Sequence, residues 1–298
     1  MTGGYGQVGV DLVDYLMGRV PLGGRADFAP DQRPLDSEEF EVIGLSHHDL
    51  DVSSPEQVEA ALAHTRPDVV VHLAAYTAVD RAETEPDLAR AVNTTGTGLL
   101  SDAAARHGAH LIAVSTDYVF DGVKGAAYVE EDATNPQSVY GLTKRDGELL
   151  CRSADTIVRT SWVMGVRGKN VAHIIADRAT SGQSVRFVSD QTGTVTSSAD
   201  LARALVALIR ARPGGVWHVA NTGTTTWFEI ARFIGEILGR GEDFATPITT
   251  SELSPAPLAT RPPRSDLDTS KFARAFSPLP EWRDAVARLV RDREHLVR

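Results

Sequence analysis

The chain has 298 residues, of which 42% are apolar and 23% charged, so the composition favours a globular protein over disordered or fibrous classes. Its formal charge of -10, without any basic run, argues against a nucleic-acid partner. Cys151 is the only cysteine, which excludes an intrachain disulfide and a cysteine metal site. Because no apolar run approaches ~18 residues and the start lacks a signal-peptide pattern, we expect a cytoplasmic protein with no membrane partner.

Short apolar runs alternate with amphipathic stretches along the chain. The predicted strands are Phe40–Leu45, Val69–Ala74, His110–Ser115, Thr156–Thr160, Val185–Val188 and Val216–Val219. The predicted helices are Val8–Met17, Pro55–Ala63, Pro86–His107, Val139–Arg152, Asn170–Ser181, Ala199–Ala211 and Trp227–Leu238. This alternation predicts an α/β protein with a doubly wound parallel sheet covered on both faces.

The first motif is the run Gly3–Gly9, which spaces glycines as G-x-x-G-x-x-G ahead of the first predicted helix. Glycines of this kind let a pyrophosphate approach backbone N–H groups at a helix N-terminus, although an ordinary glycine-rich turn is the alternative interpretation. A dinucleotide-binding turn follows a buried strand. Only Met1 and Thr2 precede Gly3, so we expect the first strand to be missing: either the chain start is assigned too late or this form lacks it.

The second motif is Tyr140-Gly-Leu-Thr-Lys144, which puts a phenol and an ammonium one helical turn apart. We expect the ammonium to lower the pKa of Tyr140 and make it a proton donor. Upstream, Thr116 follows the strand His110–Ser115, where polar residues face the ligand crevice of a parallel sheet. Thr116 can hydrogen-bond a substrate oxygen, or it can simply cap a turn. The order of glycine turn, strand-end threonine and Tyr-x-x-x-Lys is more specific than any single motif.

Taken together, these residues resemble the extended short-chain dehydrogenase/reductase superfamily and, within it, the dTDP-4-dehydrorhamnose reductase family. The resemblance runs from Gly3 to about Leu289. It is carried by Arg66–Asp80, Ala82-Glu83, Ala91–Asn93, Ser115–Phe120, Tyr140–Lys144, Arg159–Trp162, Gly168–Asn170, Gly223–Trp227 and Arg261-Pro262. It implies a Rossmann-type dinucleotide-binding domain, mainly residues 1–160. A smaller substrate-binding lobe would be formed mainly by residues 161–298, with the chain crossing back to the sheet around 185–220.

The resemblance also implies roles for particular residues. The catalytic trio would be Thr116, Tyr140 and Lys144, of which Tyr140 and Lys144 also border the cofactor. The residues lining the cofactor pyrophosphate would be Gly3, Gly6, Gln7, Val8 and Gly9. The residues at the adenine and nicotinamide ends would be Asp51, Val52, Ala74, Ala75 and Tyr76. The substrate-binding residues would be Thr116, Tyr118, Trp162 and Arg261.

The implied activity is NAD(P)H-dependent reduction of the 4-keto group of a nucleotide-linked 6-deoxy sugar, most specifically dTDP-4-dehydro-L-rhamnose. The choice between NADPH and NADH stays open. The segment Leu45–His48, at the end of the predicted strand Phe40–Leu45, lacks the acid that selects NAD. The family's metal-bridged dimers use acidic residues, of which Asp11 could supply one, but Ala199 stands where another glutamate is expected. We therefore expect a monomer or weak homodimer and no metal.

Two alternatives remain from the sequence. Another deoxysugar 4-ketoreductase would share these motifs. A non-catalytic NAD(P)-binding regulatory subunit, resembling that of methionine adenosyltransferase, can also keep the Tyr/Lys pair. Among the other polar residues, Asn93 lies where the superfamily often has an asparagine that assists a proton relay, and a solvated helix position is the alternative interpretation. Two segments, Pro21–Glu39 and Gly239–Arg264, are predicted loops, the second over a ligand.

Overall fold

The structure is a computed structural model that describes residues 1–25 and 40–297. Its helices are α1 Gln7–Leu16, α2 Pro55–Thr65, α3 Val79–Ala82, α4 Pro86–Arg90, α5 Gly96–Arg106, α6 Val139–Leu149, α7 Val171–Thr180, α8 Ser198–Ala211, α9 Trp227–Ile237, α10 Ser270–Ala275 and α11 Trp282–Val297. Its strands are β1 Val69–His72, β2 His110–Thr116, β3 Thr156–Thr160, β4 Val163–Met164, β5 Val185–Val188, β6 Thr192–Gly193, β7 Thr196–Ser197, β8 Gly215–His218, β9 Thr225–Thr226 and β10 Ala245–Ile248.

The main sheet has the order β1-β2-β3-β8, and all its strand pairs are parallel. Helices α1 and α8 bury Leu12 and Leu205 against one face, together with Val71 and Ile112 of the sheet. On the other face, α2 and α5 pack with strand residues such as Leu111. Parallel strands covered on both faces in this way confirm the predicted Rossmann-type α/β sheet.

The strand position in front of the glycine turn is held by Thr2, which forms parallel single-residue bridges to Leu45 and His72. The Thr2 N–H donates to the Val71 carbonyl at 3.0 Å, and the Leu45 N–H donates to the Met1 carbonyl at 2.9 Å. Next to these bridges lies a cavity of about 460 Å³, lined by side chains from both helical layers. These bridges join the residue before the glycine turn to strand β1 and to Leu45.

The predicted strand Phe40–Leu45 is wrong over most of its length, because the structure gives only Leu45 a bridge and leaves residues 40–44 without regular structure. A strand needs a neighbour, and the neighbour here is one residue long. The predicted loop Pro21–Glu39 falls largely outside the described residues.

Helices α7, α9 and α11, with strands β5 and β10, build a second core, and we call this part of the protein the second lobe. Helices α7, α9 and α11 pack together around Ile175, Ile234 and Trp282. Strand β5 pairs with β10 rather than with the main sheet, and the chain returns to that sheet through α8 and β8. The predicted loop Gly239–Arg264 therefore contains a strand, because residues 245–248 find a partner 60 positions earlier.

The predicted helix Pro86–His107 is continuous in its helical course but divided by a π-helical turn, Ala91–Thr95, between α4 and α5. Wide turns of this type are frequent at functional sites. Over residues 1–25 and 40–297, the search for a helix with the length and apolar character to cross a membrane finds none.

Candidate active site

The first polar side chain of the site lies at the end of strand β2. Thr116 is 6% exposed, and its Oγ1 accepts the Tyr118 N–H at 3.2 Å. The same hydroxyl donates to Asp117 Oδ1 at 3.1 Å and is hydrogen-bonded to the Tyr140 side chain. Thr116 therefore caps the following turn and also contacts the tyrosine, so the two interpretations of this residue are not exclusive.

Helix α6 carries Tyr140 and Lys144 on one face, and its first turn is fixed from two sides. The Ser138 hydroxyl accepts a first-turn amide at 3.2 Å, and the Glu83 carboxylate accepts another at 2.8 Å. Such caps satisfy amides that have no partner within the helix, and a carboxylate also interacts favourably with the helix dipole. The position of Tyr140 is therefore set by a capped helix rather than by a loop.

Two glycines let α6 lie directly against its neighbours. A Cβ at Gly141 would overlap the carbonyl oxygen of Tyr118, and a Cβ at Gly147 would overlap the carbonyl oxygen of Asn93. The residue that follows the tyrosine must therefore be small for the helix to approach the end of β2. This close approach brings the Tyr140 side chain to the Thr116 hydroxyl.

Burial dominates the electrostatics of Tyr140 and Lys144, the predicted catalytic pair. It raises the pKa of Tyr140 to about 12, although the Thr116 hydrogen bond acts in the opposite direction. It lowers the pKa of Lys144 to about 8. The Lys144 Nζ donates to the Val114 carbonyl at 2.7 Å. The expectation that Lys144 lowers the pKa of Tyr140 is wrong for this conformation, because the ammonium is bound to the strand and the phenol is desolvated.

A buried ion pair supports the same helix one turn further on. Glu148 and Arg159 of β3 lie 2.7 Å apart between Oε2 and Nη2, and their side chains are 7% and 6% exposed. The Ser115 hydroxyl also donates to Glu148. This network ties α6 to two adjacent strands. Sequence reasoning missed it, although Tyr140, Lys144 and Glu148 repeat at intervals of four.

Asn93, in the π-helical turn, is 1% exposed and has a structural function. Its Oδ1 accepts the Tyr76 N–H at 2.8 Å, and its Nδ2 donates to the Tyr76 carbonyl and the Thr143 hydroxyl, both at 3.1 Å. This burial contradicts the solvated position, and the proton-relay role stays a prediction. Asn93 joins the loop after β1 to α6.

The glycine turn has the shape that a dinucleotide diphosphate needs. Gly3 adopts a φ of +67°, and a Cβ there would lie 2.8 Å from the Ala74 nitrogen. A Cβ at Gly9 would overlap the Gly3 carbonyl and lie 2.7 Å from the Gly4 carbonyl carbon. The turn is thus packed backbone to backbone at the N-terminus of α1, where amides and the helix dipole favour an anion. These residues fit the cofactor diphosphate.

The other predicted cofactor residues surround this turn. The Gln7 side chain accepts the Asn170 Nδ2 at 3.1 Å, so the turn contacts the second lobe. Val8 packs against the main core. Gly6 immediately precedes α1, and Ala75 lies in the loop after β1. The assignment of all these residues to the cofactor stays a prediction.

The two residues predicted at the adenine end behave differently from each other. The Asp51 Oδ1 accepts the Ser53 N–H at 2.9 Å and the Ser53 hydroxyl at 2.7 Å, and these bonds hold the Asp51 pKa below its usual range. Val52 is 5% exposed and contacts the backbone of Gly96, where a larger residue would overlap it. At the nicotinamide end, the Tyr76 hydroxyl donates to Glu85.

A cavity of about 720 Å³ opens beside Tyr118, which follows strand β2, on the side of helices α7 and α9. Its lining includes Tyr118 and Arg261, both predicted, and Asp80, Gln191 and Trp227, which sequence reasoning did not assign. The Tyr118 ring meets the Tyr140 ring edge to face, with centroids 5.6 Å apart. The cavity wall and the phenol are therefore in contact. Its size suits a small polar ligand.

Trp162 reaches this cavity only through a neighbour. Its ring stacks on the Trp227 ring with centroids 4.2 Å apart, and Trp227 lines the cavity. Gly193 makes room for the Trp162 ring. A substrate-binding role for Trp162 stays a prediction, and Trp227 is the tryptophan that the structure places at the wall. Its signal was present in the run Gly223–Trp227.

Within the described parts of the chain, no group of three or more metal-ligating side chains comes together. Asp11, the acidic residue considered from the sequence, is 2% exposed and accepts the Ser198 hydroxyl at 2.5 Å. Burial raises its pKa to about 6. Its carboxylate is thus turned into the protein, towards α8.

Comparison with known proteins places this site in a family. The family model described as RmlD substrate binding domain matches residues 31–294. The dTDP-4-dehydrorhamnose reductase of Streptomyces griseus is 42% identical over 85% of this chain and 86% of that protein. A probable dTDP-4,6-dihydroxy-2-methyloxan-3-one 4-ketoreductase of Streptomyces antibioticus is 38% identical over 85% of this chain and 88% of that protein.

A solved structure agrees with these sequence relatives. The dTDP-4-dehydrorhamnose reductase of Bacillus anthracis in complex with NADP has a TM-score of 0.85 and 30% identity, covering 97% of this chain and 96% of that chain. The fold and the resemblance inferred from the motifs are both confirmed. The chain belongs to the dTDP-4-dehydrorhamnose reductase family, within the extended short-chain dehydrogenase/reductase superfamily.

Proposed function

We propose that this protein is an NAD(P)H-dependent reductase of the 4-keto group of a nucleotide-linked 6-deoxy sugar, with dTDP-4-dehydro-L-rhamnose as substrate and dTDP-L-rhamnose as product. One observation carries the proposal: the edge-to-face contact between Tyr118, in the wall of the large cavity, and Tyr140, on the catalytic helix. A ligand in that cavity has a buried proton donor at its edge. The names of the relatives agree with this chemistry.

The cofactor site of the proposal uses the glycine turn and the loop after β1. Gly3, Gly6, Gln7, Val8 and Gly9 would hold the diphosphate, and Ala74, Ala75 and Tyr76 would border the nicotinamide half. Bound NADPH or NADH supplies the hydride. The backbone packing at Gly9 and the positive φ of Gly3 support this placement, because side chains would block the approach to the turn.

The protein residues handle the proton. With its pKa raised to about 12, Tyr140 is protonated at neutral pH and can donate its hydroxyl proton to the substrate oxygen as negative charge develops there. The Thr116 hydroxyl positions that phenol and can hydrogen-bond the same oxygen. Lys144 places a positive charge beneath the site at neutral pH and stabilises an anion there.

The test is turnover with a defined substrate. Purified protein is mixed with dTDP-4-dehydro-L-rhamnose and either NADPH or NADH, and oxidation of the cofactor is followed by absorbance. The product is identified by NMR, which reports the configuration at C4. Oxidation that yields dTDP-L-rhamnose supports the proposal. Absence of oxidation with both cofactors contradicts it.

The Streptomyces antibioticus relative favours a second candidate, another deoxysugar 4-ketoreductase. The same NMR measurement separates the two, because that enzyme would give a different product or require a different keto sugar. A non-catalytic regulatory subunit is the third reading from the sequence. It would bind the cofactor without turnover and retain a stable protein partner on pull-down.

We also propose that the protein acts in the cytoplasm as a monomer or weak homodimer. The free, partly buried Cys151 suits a reducing compartment. Light scattering at several protein concentrations measures the oligomeric state. A stable higher oligomer at low concentration would contradict this part of the proposal.

A further inference from the structure

Asp80 and Arg261 join two parts of the chain that are 181 residues apart. Arg261 Nη1 donates to Asp80 Oδ1 and Nη2 donates to Oδ2, each at 2.6 Å. The paired bonds form a bidentate guanidinium–carboxylate contact, which fixes orientation as well as distance. Both residues line the 720 Å³ cavity, so the contact lies in the wall of the proposed substrate site.

The same carboxylate also holds the backbone beside Arg261. The Ala259 N–H donates to Asp80 Oδ1 at 3.0 Å, and Arg261 Nη1 donates to the Ala259 carbonyl at 2.8 Å. Asp80 thus fixes a short segment of the second lobe, residues 258–261, to helix α3. That helix follows the loop at the nicotinamide end. We call this connection the Asp80 strap.

The Asp80 carboxyl in this strap is ionised throughout the physiological pH range. The hydrogen bonds from Arg261 are the largest influence on the Asp80 carboxyl and lower its pKa to about 2. The Arg261 side chain is 19% exposed, whereas that of Asp80 is 43% exposed. Solvent screening therefore weakens the net stability of the pair. Its main contribution is to fix the position of the guanidinium.

The guanidinium continues the connection towards the catalytic residues. The Arg261 guanidinium also lies near the Tyr118 side chain and interacts with it electrostatically, and the Tyr118 ring contacts the Tyr140 ring. A guanidinium carries five N–H donors, and Asp80 with Ala259 accounts for three of them. The other donors are what Arg261 can offer to Tyr118 and to an anionic ligand in the cavity.

We infer that Asp80 is a positioning residue for the nucleotide-sugar substrate: it orients Arg261 and holds residues 258–261 over the cavity. The inference rests on the proposed function, which supplies the diphosphate that an oriented guanidinium would meet. Asp80 itself is not catalytic. The alternative is that Asp80 competes with the diphosphate for Arg261. In that case Asp80 weakens substrate binding, and removing its charge would strengthen it.

The variant Asp80→Asn keeps the size of the side chain and removes its charge. We expect the KM for the nucleotide sugar to rise about tenfold, equivalent to ~1.4 kcal/mol, while kcat changes less than about twofold. The Kd of NADPH, measured by fluorescence, stays at the wild-type value. Asp80→Glu can restore the ion pair, so it should recover part of the loss.

Glu59→Gln is the matched control, because Glu59 pairs with Arg106 at 2.7 Å on the exposed surface of α2 and is outside the cavity lining. It should leave KM and kcat unchanged. The inference is overturned if Asp80→Asn leaves KM within about twofold of wild type, lowers it, or weakens NADPH binding as much as substrate binding.

Calorimetry with dTDP separates this inference from the proposed function. If the wild type binds dTDP without any turnover and Asp80→Asn weakens that binding about tenfold, the proposed activity is wrong and the role of Asp80 holds. If dTDP binds equally well to both proteins, the role of Asp80 is wrong whatever the turnover. A wild type that does not bind dTDP contradicts both.

Discussion

The two halves of the proposed site rest on very different supports. The catalytic half, Thr116 with Tyr140 and Lys144, lies on a seven-residue strand paired on both sides and on a capped helix. The cofactor half, Gly3–Gly9, follows the bridge at Thr2 and lies near a cavity of about 460 Å³. Proton transfer depends on geometry within fractions of an ångström, and a paired strand with a capped helix can hold its residues to that tolerance.

The largest expected effect is a loss of turnover from a substitution in the catalytic half alone. Replacing Tyr140 by Phe removes the proton donor and keeps the ring that contacts Tyr118. We expect kcat to fall about 10²- to 10⁴-fold, the usual contribution of general acid catalysis. The Kd of NADPH should remain within about twofold, because the glycine turn is untouched. Stopped-flow or steady-state absorbance measures the first quantity and fluorescence titration the second.

A thermal melt and a circular dichroism spectrum serve as the folding controls for Tyr140→Phe. Wild-type turnover in a folded variant would contradict the role of Tyr140 as proton donor. If Tyr140→Phe instead lost cofactor binding and kept its turnover at saturating cofactor, Tyr140 would belong to the cofactor half rather than to the catalytic half.

The next largest expected effect is weaker NADPH binding from a substitution in the cofactor half alone. In Gly9→Ala the new methyl group would overlap the Gly3 carbonyl, so the turn must shift away from α1. We expect the Kd of NADPH to rise at least about tenfold, or ~1.4 kcal/mol, with little change in kcat at saturating cofactor. Fluorescence titration together with steady-state kinetics measures the split.

Gly241→Ala is the matched control, since Gly241 has a φ of -71° and its added Cβ meets no atom within 4 Å. It should behave as wild type in both assays. Unchanged NADPH affinity in Gly9→Ala would show that the turn tolerates displacement. The glycine turn would then not be the diphosphate site.

A smaller effect sharpens the comparison by strengthening the weaker half. The cavity beside Thr2 is lined by Leu16 and Ile209 on one face and by Leu62 and Leu100 on the other. A five-residue Val/Ile extension joined to Met1 should enter it as a parallel strand and bury at least two side chains. At ~1.5–3 kcal/mol for each buried side chain and ~2–4 °C per kcal/mol, Tm should rise by about 5 °C or more.

The control is an extension of equal length made of Ser and Asp, which cannot enter an apolar cavity and should leave Tm unchanged. An equal Tm for both extensions would mean that the cavity does not accept a strand.

The sequence was sufficient where a local pattern determines the result, and insufficient where distant residues decide it. The alternation of apolar runs predicted β2, β3 and α8, and the spacing of Tyr140 and Lys144 predicted their shared helix face. Asp80 was overlooked because its importance arises from Arg261, 181 positions later. The direction of the Tyr140 pKa was wrong because burial, which no spacing reveals, outweighs a nearby charge.

The smallest expected effect is a change in stability with pH that comes from the buried ammonium of Lys144. Burial lowers the pKa of Lys144 from 10.5 to about 8, so the folded protein disfavours the ammonium that the unfolded chain retains. The resulting cost to stability is fully present below pH 8 and fades as pH rises towards 10.5. Lys144→Met lacks this titration. Relative to the variant, the wild type should therefore gain about 1 kcal/mol between pH 7 and pH 9, measured by urea unfolding at each pH. A difference that stays flat or moves the other way would mean that Lys144 is not desolvated in the free protein.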